Sequence, residues 1–160
     1  MKFDGKMTVT SQVSMQKMWD TLMNDPETLR AVIPGGEKVE KVDDKTFNVV
    51  LKQGIGPFKF KFNMNAVLVK VTPPTYAEIE GEGHDVTKLG NFKMKMVLNL
   101  KDLGAGDIEI TYEANATVGG KLGAFGDRIL NAKAKSMEKD LVTNLNEALK
   151  SIPKSASAGA

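Results

Sequence analysis

The sequence has no cysteine and only one histidine, His84. Without cysteine there is no disulfide framework, thiolate metal site or cysteine nucleophile, a composition that fits a reducing cytoplasm. With one histidine, a Ser-His-Asp relay or an imidazole-ligated metal has to pass through that residue. Arginine is scarce as well: Arg30 and Arg128 stand beside 20 lysines. Bidentate reading of phosphates or base edges favours the planar guanidinium fork, so the chain is not read as a nucleic-acid binder. No run of apolar residues is long enough to span a bilayer. The opening stretch MKFDGKMTVT alternates polar with apolar residues and carries Asp4, unlike the apolar core of a leader peptide.

What is present is enough for one domain of ordinary size: 160 residues, 41% of them apolar, with a net charge of 22 − 20 = +2. Nine methionines are the compositional oddity. Residues 2–10 put Phe3, Gly5, Met7 and Val9 on one face, the period of a half-buried strand. Ser14 reads as a helix N-cap, followed by Met15, Met18, Trp19 and Leu22 at helical spacing. Asn24-Asp25-Pro26 ends that helix and opens a second, which Pro34-Gly35-Gly36 stops. Strands are expected over 37–42, 45–53, 58–71, 76–83, 90–101 and 107–118, joined by short turns. A long helix over about 120–150 should close the domain, with Leu122, Phe125, Ile129, Ala132, Met137, Leu141, Leu145 and Leu149 on its apolar stripe. Residues 151–160 read as a flexible tail of low complexity.

These elements make an α+β domain over residues 1–150. A curved, seven-stranded antiparallel sheet has two short helices after its first strand and a long C-terminal helix across its concave face. This helix-grip arrangement leaves room for a pocket between sheet and helix. Phe58, Phe60 and Phe62 share one strand face with Met64, and either ordinary core or a pocket wall explains them. Met94 and Met96 lie on a later strand, with Gly81 and Gly83 between. Such a mixture of flexible and missing side chains suits an adaptable apolar cavity. On the outer face, Lys59 and Lys61, Glu78, Glu80 and Glu82, Lys93 and Lys95, and Asp107, Glu109 and Glu113 form bands of alternating charge, so the lysines are expected to find protein partners. His84 reads as a turn histidine paired with Asp85. Gly119-Gly120-Lys121 lacks the Ser or Thr of a phosphate loop, and nothing assembles a nucleophile, base and orienter.

Several motifs resemble the CoxG-like family, named for the CoxG subunit of carbon monoxide dehydrogenase. They are Met1-Lys2-Phe3-Asp4-Gly5, Met18-Trp19-Asp20, Asn24-Asp25-Pro26-Glu27, Ile33-Pro34-Gly35-Gly36-Glu37, Gly56-Pro57-Phe58, Gly81-Glu82-Gly83 and Val118-Gly119-Gly120-Lys121-Leu122-Gly123. The resemblance implies a START-like (SRPBCC) fold and a non-catalytic protein that encloses an apolar molecule, quinone-like or lipid-like, with no other cofactor required. It also implies service to a molybdenum hydroxylase complex. The alternative is a docking, assembly or membrane-recruitment factor with no ligand of its own. Some family members extend into a membrane anchor. Here ten residues follow Lys150, so a cytoplasmic protein with at most peripheral contact to the inner face of the membrane is expected. The expected lining residues are Trp19, Phe58, Phe60, Phe62, Met64, Ile79, Met94, Met96, Tyr112, Leu122, Phe125, Ile129 and Met137. No catalytic or metal-binding residue is expected.

Overall fold

A computed structural model describes residues 1–153; residues 154–160, most of the expected tail, lie outside the described residues. The element order is β1 (Lys2–Thr10), α1 (Met15–Asn24), α2 (Pro26–Val32), β2 (Gly36–Lys41), β3 (Thr46–Ile55), β4 (Phe58–Thr72), β5 (Tyr76–Asp85), β6 (Gly90–Gly104), β7 (Asp107–Gly119), α3 (Gly120–Ala124) and α4 (Gly126–Ser151). The seven strands form one antiparallel sheet in the order β1-β7-β6-β5-β4-β3-β2. Sequence adjacency explains five of its pairings. The sixth brings the first strand beside the last, from Lys2 opposite Asn115 to Thr10 opposite Asp107. In this register Met7 lies opposite Ile110 and Val9 opposite Ile108, all four buried, and a one-residue slip would turn either set to the outer face.

The helical link from β1 to β2 must therefore cross from one sheet edge to the other. The Ser14 hydroxyl accepts from the Lys17 amide at 3.0 Å and starts α1. The Asp25 carboxylate accepts from the Glu27 and Thr28 amides and starts α2, with Pro26 at its first position. Met18 and Val32 are then buried against β1, β7 and the end of α4, in a core that includes Leu145, Leu149 and Ile152. A second core joins Phe47, Val49, Leu51, Phe60 and Phe62 to Leu122 and Leu130. The sheet curves around these helices, and the two cores clamp opposite ends of α4.

Two expectations change. The helix over 120–150 is two helices, because Gly126 adopts φ +80° and interrupts the α-helical backbone. The chain is re-aimed there, so Leu130 turns inward at 7% exposure while Ile129 is left at 47% and Ala132 is also exposed. The outer charge bands are realised in part. Lys93 pairs with Glu82 at 3.6 Å and Lys95 with Glu80 at 3.7 Å. Lys61 instead sits opposite Lys52, and Glu37 at the sheet edge binds both. Such exposed pairs each contribute about 0–1 kcal/mol.

Candidate ligand cavity

A cavity of about 380 Å³ lies between the concave face of the sheet and α4. Its wall brings together seven of the residues singled out from the sequence: Phe62, Met64, Met94, Met96, Tyr112, Leu122 and Met137. The register explains why β5 adds no side chain. Gly81 and Gly83 face Met94 and Phe92 across the β5–β6 ladder, on the cavity side of the sheet. A methyl group added at Gly81 would meet Met64 Sδ and Met94 Cε at 3.8 Å, so two flexible thioethers lie over the gap that glycine leaves.

The other six residues lie outside that wall. Phe58, Phe60 and Phe125 form an edge-to-face cluster, with ring centroids 5.7 Å apart for Phe58–Phe125 and 6.2 Å for Phe60–Phe125. Phe60 stacks on Phe62, which meets Phe92 edge-on, so these rings form a solid plug behind the cavity. Lys121 lies over the Phe58 ring at 4.9 Å rather than waiting for an anion. Ile79 is the register partner of Met96 and lies on the same face, yet does not reach the wall. Trp19 is half-buried on α1, where Met18 takes the core position. Ile129 is exposed, for the reason given by Gly126.

Several wall residues were not read from the sequence. Phe92 and Leu98 continue the alternation of Met94 and Met96 by one step in each direction, a signal that was available. Ile33 and Pro34 come from the corner after α2, and Leu130, Lys133, Ala134, Glu138 and Leu141 from α4. Two charged residues on that inward stripe hide it from a search for apolar periodicity. Glu138 has its own partners: Tyr112 donates its hydroxyl to Glu138 Oε1 at 2.7 Å, and Lys135 lies 3.5 Å from the same oxygen. Burial, and then the Glu138 carboxylate, push the Tyr112 hydroxyl up, so it remains a protonated donor. Gly5 on β1 makes room for this pair. A Cβ there would overlap Glu138 Oε1 and come within 2.6 Å of the Tyr112 ring.

His84 and Asp85 do not pair. His84 is exposed on the outer face between Asn63 and Asn91, whereas Asp85 is 1% exposed. The Asp85 carboxylate accepts from the amides of Lys61 at 2.8 Å, Thr87 at 3.0 Å and Leu89 at 3.1 Å, and from the Thr87 hydroxyl. Burial alone would push this carboxyl up. The Thr87 hydroxyl and the three amides outweigh burial and hold it below the usual carboxylate range. Strand alternation is the reason for the division: consecutive residues of β5 point to opposite faces, so Asp85 turns in to organise the β5–β6 turn. Among the described residues, no group of three or more His, Asp or Glu is placed to hold a metal.

A family model for CoxG, a subunit of carbon monoxide dehydrogenase, matches residues 5–150. The chain belongs to this family. The CoxG match runs from within β1 to the last turn of α4 and so includes every residue of the cavity wall except Phe3. The family's name ties it to carbon monoxide dehydrogenase. Among solved structures, a conserved protein from Geobacillus kaustophilus is 23% identical with a TM-score of 0.82, over 94% of this chain and 95% of that one. A START superfamily protein from Mycobacterium smegmatis is 9% identical with a TM-score of 0.69, over 95% and 99%. Zhui aromatase/cyclase from Streptomyces sp. R1128 is 13% identical with a TM-score of 0.62, over 100% and 99%. These likenesses show a shared, START-like fold. No curated protein matches the chain significantly.

Proposed function

We propose that this CoxG-family protein is a non-catalytic carrier. It encloses an apolar, quinone-like or lipid-like molecule between sheet and α4 and serves a molybdenum-hydroxylase-type oxidoreductase. The observation that carries the reading is the cavity of about 380 Å³, whose wall is almost wholly phenylalanine, methionine and aliphatic side chains. Ligand pockets run from about 300 to 1,000 Å³ and are mostly apolar. Enclosing about 400 Å² of apolar ligand surface at about 25 cal/mol per Å² yields on the order of 10 kcal/mol before ordering costs. The fold alone does not decide against catalysis, since Zhui is named as an aromatase/cyclase. What favours carriage is that burial and the Glu138 carboxylate keep the Tyr112 hydroxyl protonated, Glu138 is itself bound by Tyr112 and Lys135, and the methionines offer no acid or base. No helix among the described residues is long and apolar enough to cross a membrane.

The test is extraction of purified protein with organic solvent and mass spectrometry of the extract. A stoichiometric apolar species, or saturable uptake of an added quinone or lipid, is expected. Empty extracts together with no uptake would remove the carrier reading. A second reading, docking without a ligand, is favoured by a groove of about 710 Å³ across the outer faces of β2 to β6, whose lining includes Asn48, Asn63, Asn65, His84 and Asn91. Capture of the oxidoreductase that persists when the inner cavity is filled, but is lost when this groove is altered, would favour docking.

A further inference from the structure

The inward stripe of α4 carries one charged residue on each shoulder, and the two differ in their surroundings. On the β1 shoulder, Glu138 is bound by Tyr112 and Lys135, and Lys135 also donates to the Asp4 carbonyl at 2.7 Å. On the other shoulder, Lys133 is half-buried and forms part of the cavity wall. It takes part in none of the ion pairs among the described residues. Helical phase locates it. Lys133 precedes Asn144 by eleven positions, an angular difference of about 20° at 3.6 residues per turn. Asn144 Nδ2 donates to the Val32 carbonyl at 3.3 Å, so this shoulder of α4 turns toward the end of α2 and the Ile33-Pro34 corner. Gln53, also in the wall, donates one amide hydrogen to the Pro34 carbonyl at 2.9 Å. Among the described residues, Lys133 is therefore the one charged group of a mostly apolar wall that has no protein partner. Its ammonium is not among the buried polar atoms, so it reaches water at the rim, where a ligand oxygen can take the place of that water.

We propose that Lys133 receives an acceptor oxygen, a carbonyl or a carboxylate, on an otherwise apolar ligand seated at the α2-facing edge of the cavity. This rests on the carrier reading and specifies the chemistry of what is carried. Lysine suits this role because its four-carbon stem continues the apolar wall while its ammonium supplies three donors at the rim. The Tyr112–Glu138 pair, already satisfied, leaves the ligand's oxygen no competing site on the opposite shoulder.

The test is displacement of the neutral apolar dye Nile red by three competitors of similar length: decylbenzene, decylbenzoquinone and dodecanoate. Each is titrated into the wild-type protein and the Lys133→Met, Lys133→Arg and Lys139→Met variants. Lys139 is exposed on the far side of α4 and serves as the control. One or both oxygenated competitors should bind about tenfold more tightly than decylbenzene to the wild type, as one charge-assisted hydrogen bond allows. That advantage should vanish in Lys133→Met and survive in Lys133→Arg and Lys139→Met, and Lys139→Met should leave dye and decylbenzene affinities unchanged. Loss confined to dodecanoate would identify an anionic head, and loss for the quinone a carbonyl. An oxygen preference that Lys133→Met retains, or no preference in the wild type, overturns the proposal while leaving the carrier reading intact. If the wild type binds neither dye nor any competitor, both fall.

Discussion

At the scale of single residues, position within a strand decides whether a charged group is structural or solvent-facing. Asp85 and His84 are neighbours in sequence yet lie on opposite faces of the sheet, and only Asp85 is tied into the turn. Its carboxyl is held below the ordinary value of 3.8, so the ionised form stabilises the fold. That contribution is fully present above the ordinary range and is lost as pH falls through the depressed folded value. Asp85→Asn should therefore cost about 1–3 kcal/mol at neutral pH. The gap from wild type should close in acid, as followed by melting temperature against pH. Parallel curves down to about pH 2 would show that the carboxylate charge is not what the turn uses.

At the scale of elements, the decisive feature is the break before α4. Gly126 resets the helix, and the residue that enters the core becomes Leu130 rather than Ile129. Leu130→Ala should cost about 2–5 kcal/mol by urea denaturation. Ile129→Ala should stay within about 0.5 kcal/mol. Equal effects would mean that the helix continues through Gly126 in the phase its sequence first indicates. The strands were far easier to read. β7 and β1 show unbroken alternation, so their faces follow from periodicity, while the residue-by-residue pairing between them does not. The later part of the α4 stripe, Met137, Leu141, Leu145 and Leu149, was legible, but its first turns were not, for two physical reasons: a left-handed glycine shifts their phase, and Lys133 and Glu138 interrupt the apolar pattern. The aromatic strand β4 was legible as buried but not as divided. Phe62 borders the cavity and Phe60 packs behind it, because α3 brings Phe125 against one and not the other.

At the scale of the whole molecule, two packed cores hold α4 at its ends and leave the space between them unfilled. Stability and capacity should therefore separate. Met94→Trp enlarges a side chain that already faces the gap over Gly81, so it should occupy the cavity and abolish uptake of apolar ligands while leaving the melting temperature within a few degrees, as about 1 kcal/mol in either direction allows. Measuring ligand-induced thermal shifts in the variant checks this. A variant that binds as well as wild type would place the ligand elsewhere.

The five thioethers of the wall, Met7, Met64, Met94, Met96 and Met137, have a chemical consequence as well as a mechanical one. A sulfoxide is polar and chiral where a thioether is soft and apolar, so oxidation would place fixed dipoles inside the cavity. Mild peroxide treatment should lower apolar uptake with little loss of folded protein, and methionine sulfoxide reductase should restore it. On the proposed carrier role, oxidation of the wall would release the cargo, and reduction of the sulfoxides would restore the site.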